Sequence, residues 1–145
     1  MRVQIRRTAR KSRIALAPIR EAIEKTLDGE KRPEAEVSVL IVNDVRIRAL
    51  NRQYRGIDAP TDVLSFSMTE GEFANLHPET LGDVVISAQR AESQAKAAGH
   101  GVTDELKLLA IHGTLHLLGY EDETASGRAR MLRLGRKYLR RVETS

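Results

Sequence analysis

Hydrophobic positions along the chain follow two periodicities, one typical of strands and one typical of helices. Four short runs are rich in β-branched residues, and the segments around them place apolar residues three or four positions apart, as in a helix with one buried face. The predicted strands are 3–6, 37–42, 62–67 and 81–87. The predicted helices begin near residues 12, 43, 88, 103 and 125. The order of these segments predicts a single α+β domain over residues 1–145, with a mixed sheet of about four strands and about five helices.

Local signals refine the ends and faces of these elements. Asn43, Ser87 and Thr103 are predicted N-caps of the second, third and fourth helices, because a side-chain oxygen there accepts a hydrogen bond from the first turn. The run 37–42 is almost continuously apolar, which predicts a central strand buried on both faces. In the last helix the residues predicted to face inward are Met131, Leu132, Leu134 and Leu139.

The most informative stretch runs from residue 112 to residue 122 and reads HGTLHLLGYED. His112 and His116 are four residues apart, so on a helix they share one face, about 6 Å apart along the axis. Gly119 can take a positive φ and turn the chain back, which brings Asp122 towards the two histidines. These three side chains are candidate ligands for a catalytic zinc ion, whose fourth position stays open for water.

Other interpretations of this stretch remain open. Two histidines on an apolar helix also occur as core residues that are hydrogen-bonded to their neighbours. Glu121 and Glu123 are alternative oxygen donors to a metal. The spacing is also that of the metzincin metallopeptidases, although those enzymes have a glutamate as general base directly after the first histidine, where this chain has Gly113.

Residues 69–80 are polar, acidic and poor in apolar side chains, which predicts a loop. This loop is either a flap over the metal site or an ordinary surface connection. A flap would allow His77 to approach the metal. His100 lies in another predicted loop, and neither histidine has an assigned role.

Composition restricts the class of protein. Hydrophobic residues make up 41% of the chain, so a folded domain is expected rather than disorder. There is no cysteine, so histidine and carboxylate must hold any metal, and a reducing cytoplasm is favoured. No apolar run has the length of a membrane span or of a signal peptide, so we expect a cytoplasmic protein with no membrane partner. Aromatic residues are 3% of the chain, so base stacking is not expected to be the main mode of nucleic-acid recognition.

The net charge of +4 is unevenly distributed. Residues 1–32 carry 10 Lys and Arg against 4 Asp and Glu, a net +6. Residues 33–123 carry 7 against 15, a net −8, and residues 124–145 carry 7 against 1, a net +6. If the two ends meet in the fold, they form a basic surface beside an acidic centre, which suits an enzyme that cuts a polyanion such as RNA. A solvated helix face is the alternative explanation.

Three blocks of sequence, 50–66, 81–87 and 112–120, resemble the YbeY family of bacterial endoribonucleases and ribosomal RNA maturation factors. The resemblance implies a single-strand-specific, zinc-dependent endoribonuclease with a metzincin-like metal-binding helix. It also implies a role in small-subunit ribosomal RNA maturation and ribosome quality control, with the ribosome or ribosomal proteins as partners. No DNA substrate is expected.

The same resemblance bears on single residues. Family members have a histidine as third metal ligand where this chain has Asp122, so zinc is the expected ion but another divalent metal fits an oxygen donor. The functional arginine of the family falls on Arg55, whose planar guanidinium suits charge that builds on phosphoryl oxygens. The alternative role of Arg55 is to brace the loop at Pro60.

Two functions compete with metal-assisted RNA cleavage. One is a metallopeptidase, for which Gly113 replaces the usual general base. The other is a non-catalytic ribosome-assembly factor that binds RNA and carries a purely structural metal.

Overall fold

A four-stranded mixed sheet forms from the apolar runs that the sequence predicts as strands. The computed structural model describes residues 2–8, 14–68 and 79–144. Its strands are β1 (Val3–Arg7), β2 (Glu36–Val42), β3 (Val63–Ser67) and β4 (Thr80–Ser87). They are ordered β1-β2-β4-β3, with β1, β2 and β4 parallel and the edge strand β3 antiparallel to β4. The prediction that residues 37–42 form a central strand is confirmed.

Five helices lie within the described residues. They are α1 (Leu16–Gly29), α2 (Asp44–Arg55), α3 (Ala88–Ala98), α4 (Val102–Leu117) and α5 (Ala125–Thr144). The predicted N-caps of α2 and α3 are confirmed, because the side chain of Asn43 accepts a hydrogen bond from the Arg46 N–H and that of Ser87 from the Arg90 N–H. The α+β prediction is therefore confirmed. No helix in the described ranges is both long and apolar enough to cross a bilayer.

The N-cap predicted for α4 is wrong. The helix begins at Val102, and Gly101 before it is extended, with φ −73° and ψ 157°. Thr103 therefore lies within the first turn, where its hydroxyl is past the capping position. The glycine backbone makes the entry into the helix, and the acidic Asp104 and Glu105 still favour the positive end of the helix dipole.

The two faces of β2 differ in burial. Val37, Val39 and Ile41 are at most 2% exposed, because α1 and α4 cover that face. On the opposite face Ser38 and Leu40 remain half-buried, because α2 packs near one end of the sheet. Val42 on that face is fully buried at the end where α2 packs, so the predicted burial is confirmed for one face and holds only at one end of the other.

Helix α5 packs through a stripe that the sequence predicts only in part. Met131 is buried, and Leu134 and Leu139 pack partly buried against the same cluster, as predicted. Leu132 is 57% exposed, so its predicted inward position is wrong. Tyr138 is fully buried instead, because it follows Met131 by two helical turns and shares its face, whereas Leu132 is rotated by about 100° away from that face.

Helix α4 approaches the sheet closely at Gly113. A Cβ atom on that residue would lie 2.6 Å from Val84 Cγ1 and 3.2 Å from Ser65 Oγ. The Ser65 hydroxyl donates to the Gly113 carbonyl at 2.9 Å, which fixes α4 against the edge strand. The close approach brings the side of α4 that bears His112 next to β3.

The predicted loop 69–80 lies mostly outside the described residues, which resume at residue 79. His77 is among the residues that are not described. Thr80 belongs to β4.

Candidate metal centre

The turn after α4 returns the chain towards the helix it has just left. Gly119 has φ 103°, a conformation that glycine adopts without strain. Its N–H donates to the His116 carbonyl at 3.0 Å, and the Tyr120 N–H donates to the Leu115 carbonyl at 3.1 Å, the pair of bonds that defines a Schellman motif. The prediction that Gly119 ends the helix and reverses the chain is confirmed. Asp122 follows this turn and lies beside the histidines.

Three donor atoms converge at the end of α4. The Nε2 atoms of His112 and His116 are 3.1 Å apart. Asp122 Oδ2 lies 3.6 Å from the first nitrogen and 3.4 Å from the second. In a tetrahedral zinc site with metal–ligand distances of about 2.0–2.1 Å, neighbouring ligand atoms are roughly 3.3–3.4 Å apart. The three residues therefore fit a metal ion, and they can hold one with a fourth direction left open.

The surroundings of these donors orient them for metal binding. His116 Nδ1 lies 3.0 Å from the Tyr120 carbonyl oxygen, which can only accept a hydrogen bond, so the proton is on Nδ1 and the lone pair on Nε2. Arg128 Nη1 donates to the Asp122 carbonyl at 3.2 Å, which ties the third donor to the first turn of α5. The first contact fixes the His116 ring, and the second restrains the backbone of Asp122.

Electrostatics keep His112 neutral. Burial lowers its pKa, and the neighbouring His116 lowers it further, while the carboxylates of Asp122 and Asp62 act in the opposite direction. A lowered pKa leaves the imidazole unprotonated at neutral pH, which is the form that binds metal.

The donors are not core residues. The side chains of His112, His116 and Asp122 are 33%, 28% and 44% exposed. They line a cleft of about 650 Å³ that also includes Arg55 and the edge strand β3. This exposure argues against two histidines that serve only to pack the core.

Glu121 has another partner. Its carboxylate accepts hydrogen bonds from the Glu123 N–H at 2.7 Å and from the Thr124 N–H and hydroxyl at 3.1 and 2.9 Å. These bonds hold the turn just before α5, whose first turn is capped by the Thr124 hydroxyl, and they hold the pKa of Glu121 below its usual range. Among the described residues, the groups placed to hold a metal are the two histidines and Asp122, without Glu121 or Glu123.

Arg55 ends α2 and faces the same cleft. The loop that follows is held by other residues, because Asn51 Nδ2 donates to the Ala59 carbonyl at 2.9 Å and Arg48 pairs with Asp58 at 2.8 Å. Within the described part of the chain, the side chain of Arg55 forms no hydrogen bond or ion pair. These contacts argue against the bracing role and leave its guanidinium available to a ligand in the cleft.

Two cleft residues were not singled out by sequence reasoning. Asp62 accepts from the Val63 N–H at 2.8 Å and from Gln94 Nε2 at 3.2 Å, and its charge reaches His112. Tyr54 also lines the cleft and is 62% exposed. Both are in the block 50–66, but nothing in a sequence shows which members of a block face a cleft.

His100 lies outside the cleft. Its Nε2 is 3.3 Å from the Glu105 carboxylate, a contact at the start of α4. No role is predicted for His100 from the sequence, and its contact joins the residues before α4 to the first turn of that helix.

Comparison with known proteins adds an independent observation. A family model described as endoribonuclease YbeY matches residues 4–143. This chain belongs to the YbeY family. The matched residues include the three donors and Arg55, so the cleft lies within the part of the chain that the YbeY family shares.

Individual relatives agree with this assignment. A protein named endoribonuclease YbeY from Geobacter sulfurreducens is 42% identical over 137 residues, which is 94% of this chain and 91% of the relative. Another protein of that name, from Pelotomaculum thermopropionicum, is 54% identical over 111 residues, covering 75% of this chain and 73% of the relative. A solution structure of a Thermotoga maritima protein matches with a TM-score of 0.68 and 28% identity, over 97% of this chain and 88% of that one.

Proposed function

We propose that this protein is a metal-dependent endoribonuclease that cleaves single-stranded RNA during small-subunit ribosomal RNA maturation and ribosome quality control. In this proposal His112, His116 and Asp122 hold one zinc ion, or another divalent metal, and Arg55 is the catalytic arginine. The ribosome or its proteins are the expected partners, and DNA is not a substrate.

The observation that carries the proposal is the position of three metal-binding donors and one arginine in a single cleft. The donor atoms are separated by 3.1, 3.4 and 3.6 Å, and Arg55 lines the same cleft as His112. Membership of a family described as endoribonuclease YbeY supports a phosphodiester as the bond that is cleaved.

The residues divide the chemistry between them. When bound, a divalent ion supplies Lewis-acid chemistry towards water or a phosphoryl oxygen. Arg55 donates two N–H groups to phosphate oxygens and stabilises the negative charge that builds at phosphorus. The Tyr120 carbonyl keeps the His116 ring in one tautomer, and Arg128 restrains the backbone at Asp122. The chain therefore supplies a rigid donor set and a separate phosphate-binding group.

Metal content is the first test. We expect about one zinc per chain by mass spectrometry of untagged protein, and loss of most of it in Asp122→Ala. Glu121→Ala is the matched control, because that carboxylate accepts hydrogen bonds from Glu123 and Thr124 just before α5 and its removal should leave metal content unchanged. Equal zinc in all three proteins would exclude Asp122 as a ligand.

Cleavage of single-stranded RNA is the second test. Arg55→Ala should abolish cleavage without loss of metal, because its side chain makes no hydrogen bond or ion pair with the three donors in the described structure. Arg52→Ala is the control, since Arg52 lies on the same helix but lines a different cleft. Full activity of Arg55→Ala would remove this residue from the mechanism, and a wild-type protein that cuts DNA equally well would refute the RNA specificity.

An RNA-binding assembly factor with a structural metal is the second candidate. The observation that favours it is helix α5, which carries seven basic and no acidic residues between positions 125 and 142. On this alternative, His112→Ala lowers the melting temperature and RNA binding stays salt-dependent, while neither protein cuts RNA. Cleavage by the wild type, lost with a chelator, would exclude it.

A metallopeptidase is disfavoured by the packing of Gly113. The position that bears the general base in those enzymes faces Val84 and Ser65 here, with room for no side chain. Hydrolysis of casein that stops on addition of a chelator would revive this alternative.

A further inference from the structure

An aromatic ring stands exposed inside the metal cleft. Tyr54 is 62% exposed although it lies on α2 and lines the cleft with Arg55 and His112. Its ring meets the Phe66 ring edge-on, with centroids 5.3 Å apart and an interplanar angle of 66°. Phe66 is half-buried against the apolar cluster between α2 and the sheet. Tyr54 is therefore steadied on one side while more than half of its surface stays accessible.

The other two tyrosines of the chain have structural partners. The hydroxyls of Tyr120 and Tyr138 both donate to the carboxylate of Glu30, and Tyr138 is fully buried. The Tyr54 hydroxyl makes no hydrogen bond to any residue that the structure describes. Neither core packing nor a hydrogen bond therefore explains why a large aromatic ring is at position 54.

We propose that Tyr54 is a base-stacking residue, and that the cleft binds an unpaired nucleobase on its ring next to the phosphate held by Arg55. This inference rests on the proposed function and adds a substrate contact to it. Stacking on an aromatic ring accepts any base, because every base has a π-face. Arg55, the next residue in the chain, lines the same cleft as this ring.

The shape and lining of the cleft favour a single strand over a duplex. Its volume of about 650 Å³ is that of a small-molecule site, which is enough for one splayed nucleotide. Thr61, Ser65 and Ser67 add hydroxyl groups along the wall formed by β3 and the loop before it. The Ser65 hydroxyl already donates to the Gly113 carbonyl, so it can meet the ribose or the base edge only as an acceptor. The Thr61 hydroxyl can contact either while the base stacks on Tyr54.

The proposal predicts a difference between two substitutions at one position. Tyr54→Phe keeps the ring and should bind RNA like the wild type, because the hydroxyl has no partner within the described structure. Tyr54→Leu keeps an apolar side chain against Phe66 but removes the π-face, and should weaken binding by about 5-fold to 150-fold. If Tyr54 only covered Phe66, the leucine variant would bind RNA with unchanged affinity.

The assay is fluorescence anisotropy of the metal-loaded protein with a labelled single-stranded oligoadenylate, read before cleavage sets in. An abasic site is moved through the oligonucleotide one position at a time. We expect one position at which the abasic site weakens binding to the wild type and to Tyr54→Phe, but not to Tyr54→Leu. Val45→Ala is the control, because Val45 is a 78% exposed residue of the same helix outside the cleft.

Each outcome decides the proposal. If the wild type binds and cleaves the RNA and Tyr54→Leu binds it with equal affinity, the stacking role is overturned. The proposed nuclease function is then left intact. A wild-type protein that neither binds nor cleaves single-stranded RNA would overturn both. Weaker binding of Tyr54→Leu to intact RNA, with no position sensitive to base removal, would mean that the ring contacts the backbone and would also overturn the stacking role.

Discussion

Glu30 connects the turn that bears the metal donors to the core of the protein. Its carboxylate accepts hydrogen bonds from the hydroxyls of Tyr120 and Tyr138, one on each oxygen. Tyr120 also belongs to the turn, where its carbonyl faces His116 Nδ1 at 3.0 Å. Tyr138 belongs to α5 and makes no contact with the donors. Tyr120→Phe and Tyr138→Phe thus each remove one hydroxyl hydrogen bond to Glu30. The first removes it from the turn beside the metal donors, and the second from α5.

The burial of the two rings sets the expected loss of stability. Tyr138 is fully buried, and removing a hydrogen bond to a charged group costs about 1.5–3 kcal/mol of the free energy of unfolding. For a domain of this size that corresponds to a fall in melting temperature of roughly 3–12 °C. Tyr120 is only half-buried, so the loss there should be nearer 1 kcal/mol.

Metal affinity should rank the two variants in the opposite order. Loss of the Glu30 bond loosens the backbone at Tyr120 and with it the group that orients His116. Mutation of a residue that hydrogen-bonds a metal ligand typically lowers metal affinity by about 10-fold to 100-fold. For Tyr120→Phe we expect a loss of zinc affinity of about 10-fold. Tyr138→Phe should bind zinc like the wild type. The measurements are urea unfolding and competition for zinc with a chelator of known affinity. If the more destabilised variant is also the weaker zinc binder, the separation of roles is refuted.

Three further outcomes follow from the packing and charges. Gly113→Ala should lower the free energy of unfolding by about 1–3 kcal/mol, because the new methyl meets Val84; an unchanged melting curve would mean that α4 does not lie so close to the sheet. Burial and the Glu30 carboxylate raise the pKa of Tyr138, so stability should fall as the pH rises above about 10, where tyrosine ionises in the unfolded chain but not in the fold. Tyr138→Phe should lack part of that fall, and identical pH profiles of the two proteins would contradict this cause. Arg133→Ala with Arg136→Ala should weaken RNA binding equally for all sequences and reduce its salt dependence, whereas an unchanged salt slope would exclude α5 from the RNA interface.

The sequence predicts well those features whose interacting residues are close to one another along the chain. His112, His116, Gly119 and Asp122 are within eleven residues, so helix periodicity and one positive-φ glycine suffice to bring them together. The Asn43 cap depends on a residue three positions away. Local geometry of this kind is nearly independent of the rest of the fold.

Features that depend on distant residues are not predictable in this way. Glu30 meets tyrosines 90 and 108 positions later, and no local pattern marks that pairing. Composition counts aromatic residues but does not locate them, so a chain with 3% aromatics gave no reason to expect Tyr54 in the cleft. Leu132 has the right residue type for the core, and only the direction from which α1 and α4 pack on α5 shows that it faces outward.

The carboxylate at position 122 changes how charge is shared in the proposed site. Two neutral imidazoles and one carboxylate leave a bound divalent ion with a formal charge of about +1, whereas three imidazoles, as the family resemblance implies, would leave about +2. Less positive charge at the metal means weaker stabilisation of a phosphoryl group that gains negative charge. In the proposed mechanism Arg55 would then supply a larger share of that stabilisation than it would beside three histidines. Asp122→His should therefore make cleavage less sensitive to Arg55→Ala, and equal losses from Arg55→Ala in both backgrounds would show that the two charges act independently.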